Sequence, residues 1–374
     1  MEKSLYNRLK YYPVGAEQMQ LPLELGSSIM LNVLRTVSYQ KLKMVIEKKN
    51  NFCDSGGLQI IEALEKGKKI IVGPMLRTRK TNDYLTIGTI DNCRIYRRTN
   101  STLALMIDRP VYTDDSDAEY WEKLSKSRKA RNQMLRVAKH ICPATELVIA
   151  LQPRNPLEVP NYFSWIYTPY VRVYAYPIRR FRNKPGDALG NAYVLSFLAS
   201  VGIKHIHFLG SNAPVIIFLL AKAIALNMFE KASFDSLTWN QSAASRFLRY
   251  LHPHTLTSMP KKGSMHPNTN MRTELAQYTG VFEATIGRFN PPEWVIAKEW
   301  GGIFNIRIIE EFKNMVLSVA MDNSLDYFVK HFEKYGKINR GKILKALDLL
   351  NESKDFGHEY IEQKYESRIE DLYC

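Results

Sequence analysis

The sequence predicts an α/β fold, a (β/α)8 barrel of the TIM type with a basic helical C-terminal extension. Three observations predict it. From about residue 41 onward, short apolar runs alternate with longer segments of helical period. Polar, chemically able residues close successive runs, as expected where a β/α barrel gathers a site at the C-terminal ends of its strands. The chain has 374 residues, 45% of them hydrophobic, enough for one barrel with small attachments. An open doubly wound sheet gives the same alternation. The barrel accounts better for polar groups spread over many strands.

Residues 1–40, which include LPLELGSSIML, read as a lead-in packing on the main domain. Residues 41–335 read as the barrel, with an inserted basic loop at 251–302 rich in Pro, Ser, Thr, Asn and Lys. Residues 336–374 read as a charged helical tail. The strand candidates are LKMVIE (42–47), KKIIVGPM (68–75), LALMID (103–108), ELVIALQ (146–152), YVRVYAYPI (170–178), HIHFLG (205–210) and ASFDSLTW (232–239).

Helical period fills the intervals. Within 119–139, Leu124, Met134, Leu135 and Ala138 are the inner positions. Within 189–200, Leu189, Tyr193, Val194, Phe197 and Leu198 share a face. Asn212 before Pro214 predicts a helix start, with Asn212 as the cap. Residues 303–320 and 323–335 return to helical period through Ile309, Phe312 and Val316, then Leu325, Phe328 and Phe332. The tail turns Ile343, Leu344, Leu347 and Leu350 inward.

A net charge of +15 points to a polyanionic partner, though a merely basic protein has the same balance. Four cysteines, Cys53, Cys93, Cys142 and Cys374, stand far apart without a CxxC pair, which fits a reducing cytoplasm rather than a disulfide framework. No apolar run approaches the roughly 20 residues that span a bilayer, and the N-terminal residues lack the apolar core of a signal peptide. A soluble cytoplasmic protein is expected, with no membrane partner.

The sharpest local motif is Phe52-Cys53-Asp54-Ser55-Gly56-Gly57-Leu58-Gln59. Two glycines after Asp-Ser allow a tight turn whose amides approach a ligand closely. The same residues also suit an ordinary surface turn with an Asx hydrogen bond. Asp108, Gln152 and Asp235 follow at later strand ends. Each has a plainer reading as well: an ion pair with Arg109, a strand terminus before Pro153, and a helix cap beside Ser236.

Taken in order, Asp54-Ser55-Gly56-Gly57, Asp108, Gln152, Leu209-Gly210 and Phe234-Asp235-Ser236 resemble the tRNA-guanine transglycosylases. The resemblance covers roughly residues 40–250 and extends more weakly to about 335. It implies that Asp235 is the nucleophile on the sugar C1′ and Asp54 the general acid/base. It also implies a base pocket formed by Ser55, Gly56, Leu58, Asp108, Gln152, Ile178, Leu209 and Gly210. There Asp108 accepts from the base's N–H groups, Gln152 reads its carbonyl, and the amides near Ser55 and Ile178 complete the pocket. Leu58 and Leu209 supply an aliphatic clamp.

The sequence departs from that family in three places. Leu58 stands where the family has an aromatic, and Tyr176-Pro177-Ile178 replaces its paired glycines. No cysteine lies between Cys142 and Cys374, so the family's CxCxxC zinc site is missing. His252, His254 and His266 offer only a weak loop HxH set. No metal or cofactor is expected. The loss of the zinc module resembles the DNA-modifying branch of the family, found in bacterial genomic islands and phages. That branch implies exchange of guanine in DNA for 7-cyano-7-deazaguanine or a relative. The free base is then one partner and DNA the other, with tRNA the alternative. Arg179, Arg180, Arg182, Arg246, Arg249, Lys261 and Lys262 are the candidates for the nucleic-acid backbone. A non-catalytic nucleic-acid-binding subunit is a further alternative, and a homodimer or an accessory protein is compatible with the sequence.

Overall fold

The computed structural model describes residues 6–16, 28–33, 39–48, 50–56, 84–112, 114–178, 188–237, 249–252, 255–258, 293–331, 340–356, 360 and 362–363. Eight short strands form one parallel sheet: β1 (Leu9–Pro13), β2 (Ser28–Asn32), β3 (Asn50–Asp54), β4 (Leu103–Leu105), β5 (Glu146–Ala150), β6 (Val173–Pro177), β7 (His205–Leu209) and β8 (Lys231–Ser236). Each strand from β2 to β8 pairs with the next, and β8 turns back onto β1, with Leu9 opposite Ala232 and Tyr12 opposite Asp235. The outer strands β1 and β2 then meet at one parallel bridge, Val14 to Met30, where Gly15 N–H donates to the Met30 carbonyl at 3.3 Å. Ser28 Oγ also donates to the Tyr11 carbonyl at 2.6 Å. The sheet is therefore a nearly closed (β/α)8 barrel, which leaves almost no open edge.

Period-two alternation divides the strand residues between two cores. Tyr12, Met30, Phe52, Leu103, Leu105, Val148, Ala150, Val173 and Ala175 fill the barrel interior. Their neighbours, such as Tyr11, Cys53, Ala104, Ile149, Tyr174 and Phe234, face outward into the larger core shared with the helices.

The helices are α1 (Tyr39–Ile46), α2 (Tyr84–Arg98), α3 (Asp117–Ile141), α4 (Val159–Ile166), α5 (Ala188–Ser200), α6 (Pro214–Ala225), α7 (Glu293–Met321), α8 (Leu325–His331) and α9 (Arg340–Phe356). The long α3 starts at a capping box: Ser116 Oγ accepts from Glu119 N–H, and Glu119 Oε2 accepts from Ser116 N–H. Its expected inner residues Leu124, Met134 and Ala138 are buried, and Leu135 is half-buried. In α5, Leu189 to Leu198 are all buried, and α9, α6 and the turn at Pro156–Glu158 pack against the helix. No described helix is long and apolar enough to cross a membrane.

Four expectations are corrected. Residues 1–40 are not a lead-in, because they supply β1 and β2 and so close the barrel. LKMVIE is helix α1, with Val45 buried and Lys43 and Ile46 exposed, whereas a barrel strand would bury both faces. The insertion at 251–302 is not all loop. It opens on an antiparallel hairpin, β9 (Arg249–His252) with β10 (Thr255–Ser258), and its end already belongs to α7. Asn212 is not the cap of α6: Ala213 is, and the helix starts there through the fixed φ of Pro214. The tail forms α9, which packs on α5, α6 and α8 through Ile343, Leu347 and Leu350. The strand expected at 68–75 and the inner position Phe332 lie outside the described residues.

Candidate active site

The C-terminal ends of the strands converge on three carboxylates. Asp54 is the last residue of β3 and Asp235 lies one residue from the end of β8. Asp108 stands three residues beyond β4. They are close enough that Asp235 and Asp108 both repel a charge on Asp54.

The Asp54 carboxyl is pushed up to about 7, first by burial and then by those two neighbours. The side chain keeps some access to solvent, but most of its surroundings are protein. Two hydrogen bonds oppose the shift, from the Gly56 amide and from Asn32 Nδ2, which donates to Asp54 Oδ2 at 2.9 Å. Parallel register sets the second bond, since Asn32 ends β2 directly opposite Asp54. Gly56 turns its amide back at a φ of 73°, a conformation that favours glycine. The Asx-type turn compatible with this motif therefore exists, at the rim of a barrel rather than on open surface.

Asp235 is held differently. On β8 the alternation places Ser233 and Asp235 on the inner face, and Ser233 lies opposite His207 of β7. His207 is fully buried. Its Nδ1 lies 2.8 Å from Ser233 Oγ and its Nε2 lies 3.0 Å from Asp235 Oδ1. Because a carboxylate only accepts, Nε2 carries a proton, and Nδ1 shares a hydrogen bond with the serine hydroxyl. Gly210, at a φ of 82°, donates its N–H to the same Oδ1 at 2.9 Å. Both contacts engage Oδ1 and neither involves Oδ2. The ring of Phe52 packs edge-on against His207, with centroids 4.6 Å apart, and Tyr12 lies 5.9 Å away. An aromatic floor thus fixes the imidazole.

Gln152 lies two residues beyond β5, and its amide nitrogen donates to Asp108 Oδ2. Its carbonyl Oε1 is buried without a partner among the described residues. Gln152 thus keeps an acceptor, Oε1, beside the bond its nitrogen makes to Asp108. The Ile178 amide is not free to complete a pocket, because it donates to the Leu209 carbonyl at 3.2 Å and extends the β6–β7 ladder. Ser55 is buried, and its carbonyl accepts from Asn92 Nδ2 at 3.5 Å. Leu209 ends β7 and packs on the interior cluster.

The structure therefore brings Asp54, Ser55, Gly56, Asp108, Gln152, Ile178, Leu209, Gly210 and Asp235 to one end of the barrel. Leu58, Arg179, Arg180, Arg182, Arg246, Lys261, Lys262, His254 and His266 lie outside the described residues. Arg249 and His252 fall on β9, whose backbone alone is described.

Sequence reasoning missed Asn32, His207 and Ser233. The signal for His207 and Ser233 was present in the alternation of HIHFL and ASFDS, where His207, Ser233 and Asp235 share the inward face. Asn32 had no such signal, because β2 itself was unread. No protein-family model and no curated protein sequence matches the chain.

Proposed function

We propose that the protein is a nucleic-acid guanine transglycosylase. It exchanges guanine in DNA for a 7-deazaguanine base through a covalent aspartyl–sugar intermediate. One observation carries the reading: a carboxyl poised near neutrality, Asp54, shares the barrel mouth with a second carboxylate, Asp235, which is oriented by an imidazole and a backbone amide. Acid and nucleophile need different environments, and these two aspartates have them.

In the first displacement Asp235 Oδ2 attacks the sugar C1′ and the bond from C1′ to guanine breaks. Asp54, in its protonated form, gives its proton to the departing base. In the second displacement the nitrogen of the incoming base attacks C1′ and its proton passes to Asp54. The ester bond to Asp235 breaks, and two inversions restore the starting configuration. Asp108 accepts from N–H groups on the base edge, and the buried Gln152 Oε1 supplies one more acceptor there. Gly56 and Gly210 let backbone approach the reacting centre without a side chain in the way. A base stacked in a duplex must be flipped out first, at a cost of a few kcal/mol.

The test is incubation of the chain with labelled 7-cyano-7-deazaguanine and either duplex DNA or bulk tRNA. Label is expected in DNA, and none with Asp235→Ala. Label in tRNA alone selects the RNA substrate. No label in either, alongside intact nucleic-acid binding, selects a non-catalytic binding subunit.

A further inference from the structure

One flank of the barrel carries aromatic rings and cations that the site does not use. On α3, Trp121, Arg128, Arg136 and Lys139 recur at helical spacing along one exposed face. Helix α4 and the segment before β6 lie alongside. There Trp165 packs against Trp121 with ring centroids 5.3 Å apart, and the Arg128 guanidinium sits 5.3 Å above Trp165. Both indoles stay exposed, at 43% and 44%, and Tyr170 is exposed at 83%.

At the far end of this face lies a cleft of about 750 Å³, walled by Arg136, Lys139, Tyr170 and Arg172. It is remote from the carboxylates, since it borders Glu146 at the start of β5. The other end of α3 does reach the barrel mouth, where Asp117 pairs with Arg154, two residues beyond Gln152, at 2.6 Å. The face thus runs from the site side of the barrel to its opposite end.

Charge decides what fits here. Among the described residues Arg128, Arg136, Lys139 and Arg172 make no ion pair. Of the acids nearby, Glu122 is tied to Lys126 at 2.5 Å and Glu146 stands at the cleft edge. Large exposed aromatics between such cations match a polyanion that also presents flat rings. A second copy of this chain, with its +15 charge, would set these cations against their own image.

We propose that this flank binds a single-stranded nucleic-acid segment. Bases stack on the Trp121–Trp165 pair and on Tyr170, while Arg128, Arg136, Lys139 and Arg172 hold phosphates. The inference does not rest on base exchange at the barrel mouth.

The test is fluorescence anisotropy of a labelled oligothymidylate with the full chain, across a salt series. The combined variant R136E/K139E/R172E is expected to weaken binding tenfold or more. It should also flatten the slope of log Kd against log salt by about 2, at roughly 0.7 per lost phosphate contact. The variant W121A/W165A should weaken binding fivefold or more with the slope unchanged. Lys345→Glu, exposed on α9, serves as the charge control and should bind as the parent does. Circular dichroism checks that each variant folds. The proposal is overturned if the triple variant binds like the parent, or if Lys345→Glu weakens binding equally. It is also overturned if sedimentation shows that the triple variant breaks an oligomer while leaving oligonucleotide binding intact.

Discussion

His207 Nε2 lies 3.0 Å from Asp235 Oδ1, and the same imidazole reaches Ser233 Oγ at 2.8 Å through Nδ1. This links three inward residues of β7 and β8 and engages one carboxylate oxygen, Oδ1, of Asp235. In the proposed base exchange His207 is a positioning residue. Replacing it by Phe keeps the ring volume and removes both bonds. The expected result is a fall in kcat of about 100-fold, the scale of a misplacement near 1 Å, with little change in KM. His207→Gln, which keeps a donor, should recover part of the loss. Equal activity in His207→Phe would show that Gly210 N–H alone orients Asp235.

Asp54 makes stability, and the proposed base exchange, depend on pH in a defined direction. Its folded carboxyl sits at about 7, against 3.8 for an ordinary aspartate. For a raised acid the folded state favours the protonated form. Stability is therefore greatest at low pH, is lost as pH climbs from about 4 to about 7, and is flat above. Asp54→Asn removes that slope. In denaturant titrations its stability advantage over the parent should be larger at pH 8 than at pH 5, by about 1–2 kcal/mol. The same variant should lose base exchange, and the parent's rate should fall as pH rises through 7.

Asp108 and Gln152 form a hydrogen-bonded pair, and the proposed chemistry sets this pair against the edge of the base. Changing Asp108 to Asn turns half of an acceptor group into a donor opposite the base. Equilibrium binding of guanine should weaken tenfold or more, in line with a lost hydrogen bond to a charged group of about 1.5–3 kcal/mol. The melting temperature is expected to move little, because the substituted amide still offers an oxygen to Gln152. Unchanged guanine affinity would place the base elsewhere.

Phe52 joins the floor of the site to the packing of the barrel. It is fully buried, edge-on to both His207 and Tyr12. Phe52→Ala should cost about 3–5 kcal/mol by denaturant unfolding. Phe52→Leu should cost much less, yet still lower kcat by loosening the imidazole.

Much of the fold was legible because α/β packing writes itself into apolar rhythm. Strands β5 to β8 and helices α3, α5 and α6 all fall where that rhythm places them. The failures have physical causes. Strands β1 and β2 occur in a segment with no preceding βα unit to set the rhythm. LKMVIE is too short for apolar content to separate helix from strand. In the site, Asp108, Gln152 and Asp235 were visible as polar residues in or at the end of apolar runs, and Asp54 through the Asp-Ser-Gly-Gly motif. His207 was hidden because a histidine inside a strand reads as core until its partners across the sheet are known. Ser233 was hidden for the same reason, since its role depends on facing His207 in register.

The pairing of β1 with β8 also sets the order in which the protein comes together. The Arg8 carbonyl accepts from the Ala232 amide at 2.7 Å, and Tyr12 lies opposite Asp235. The first of the eight strands to leave the ribosome therefore waits for the last before either is complete. Such a contact is slow to form, because a long loop must close first. Until it closes, Asp235 lies on an unpaired sheet edge and the site does not exist. The cluster at the barrel mouth is thus complete only at the final step of assembly, and a chain cut back past β1 would lose the strand that backs Asp235.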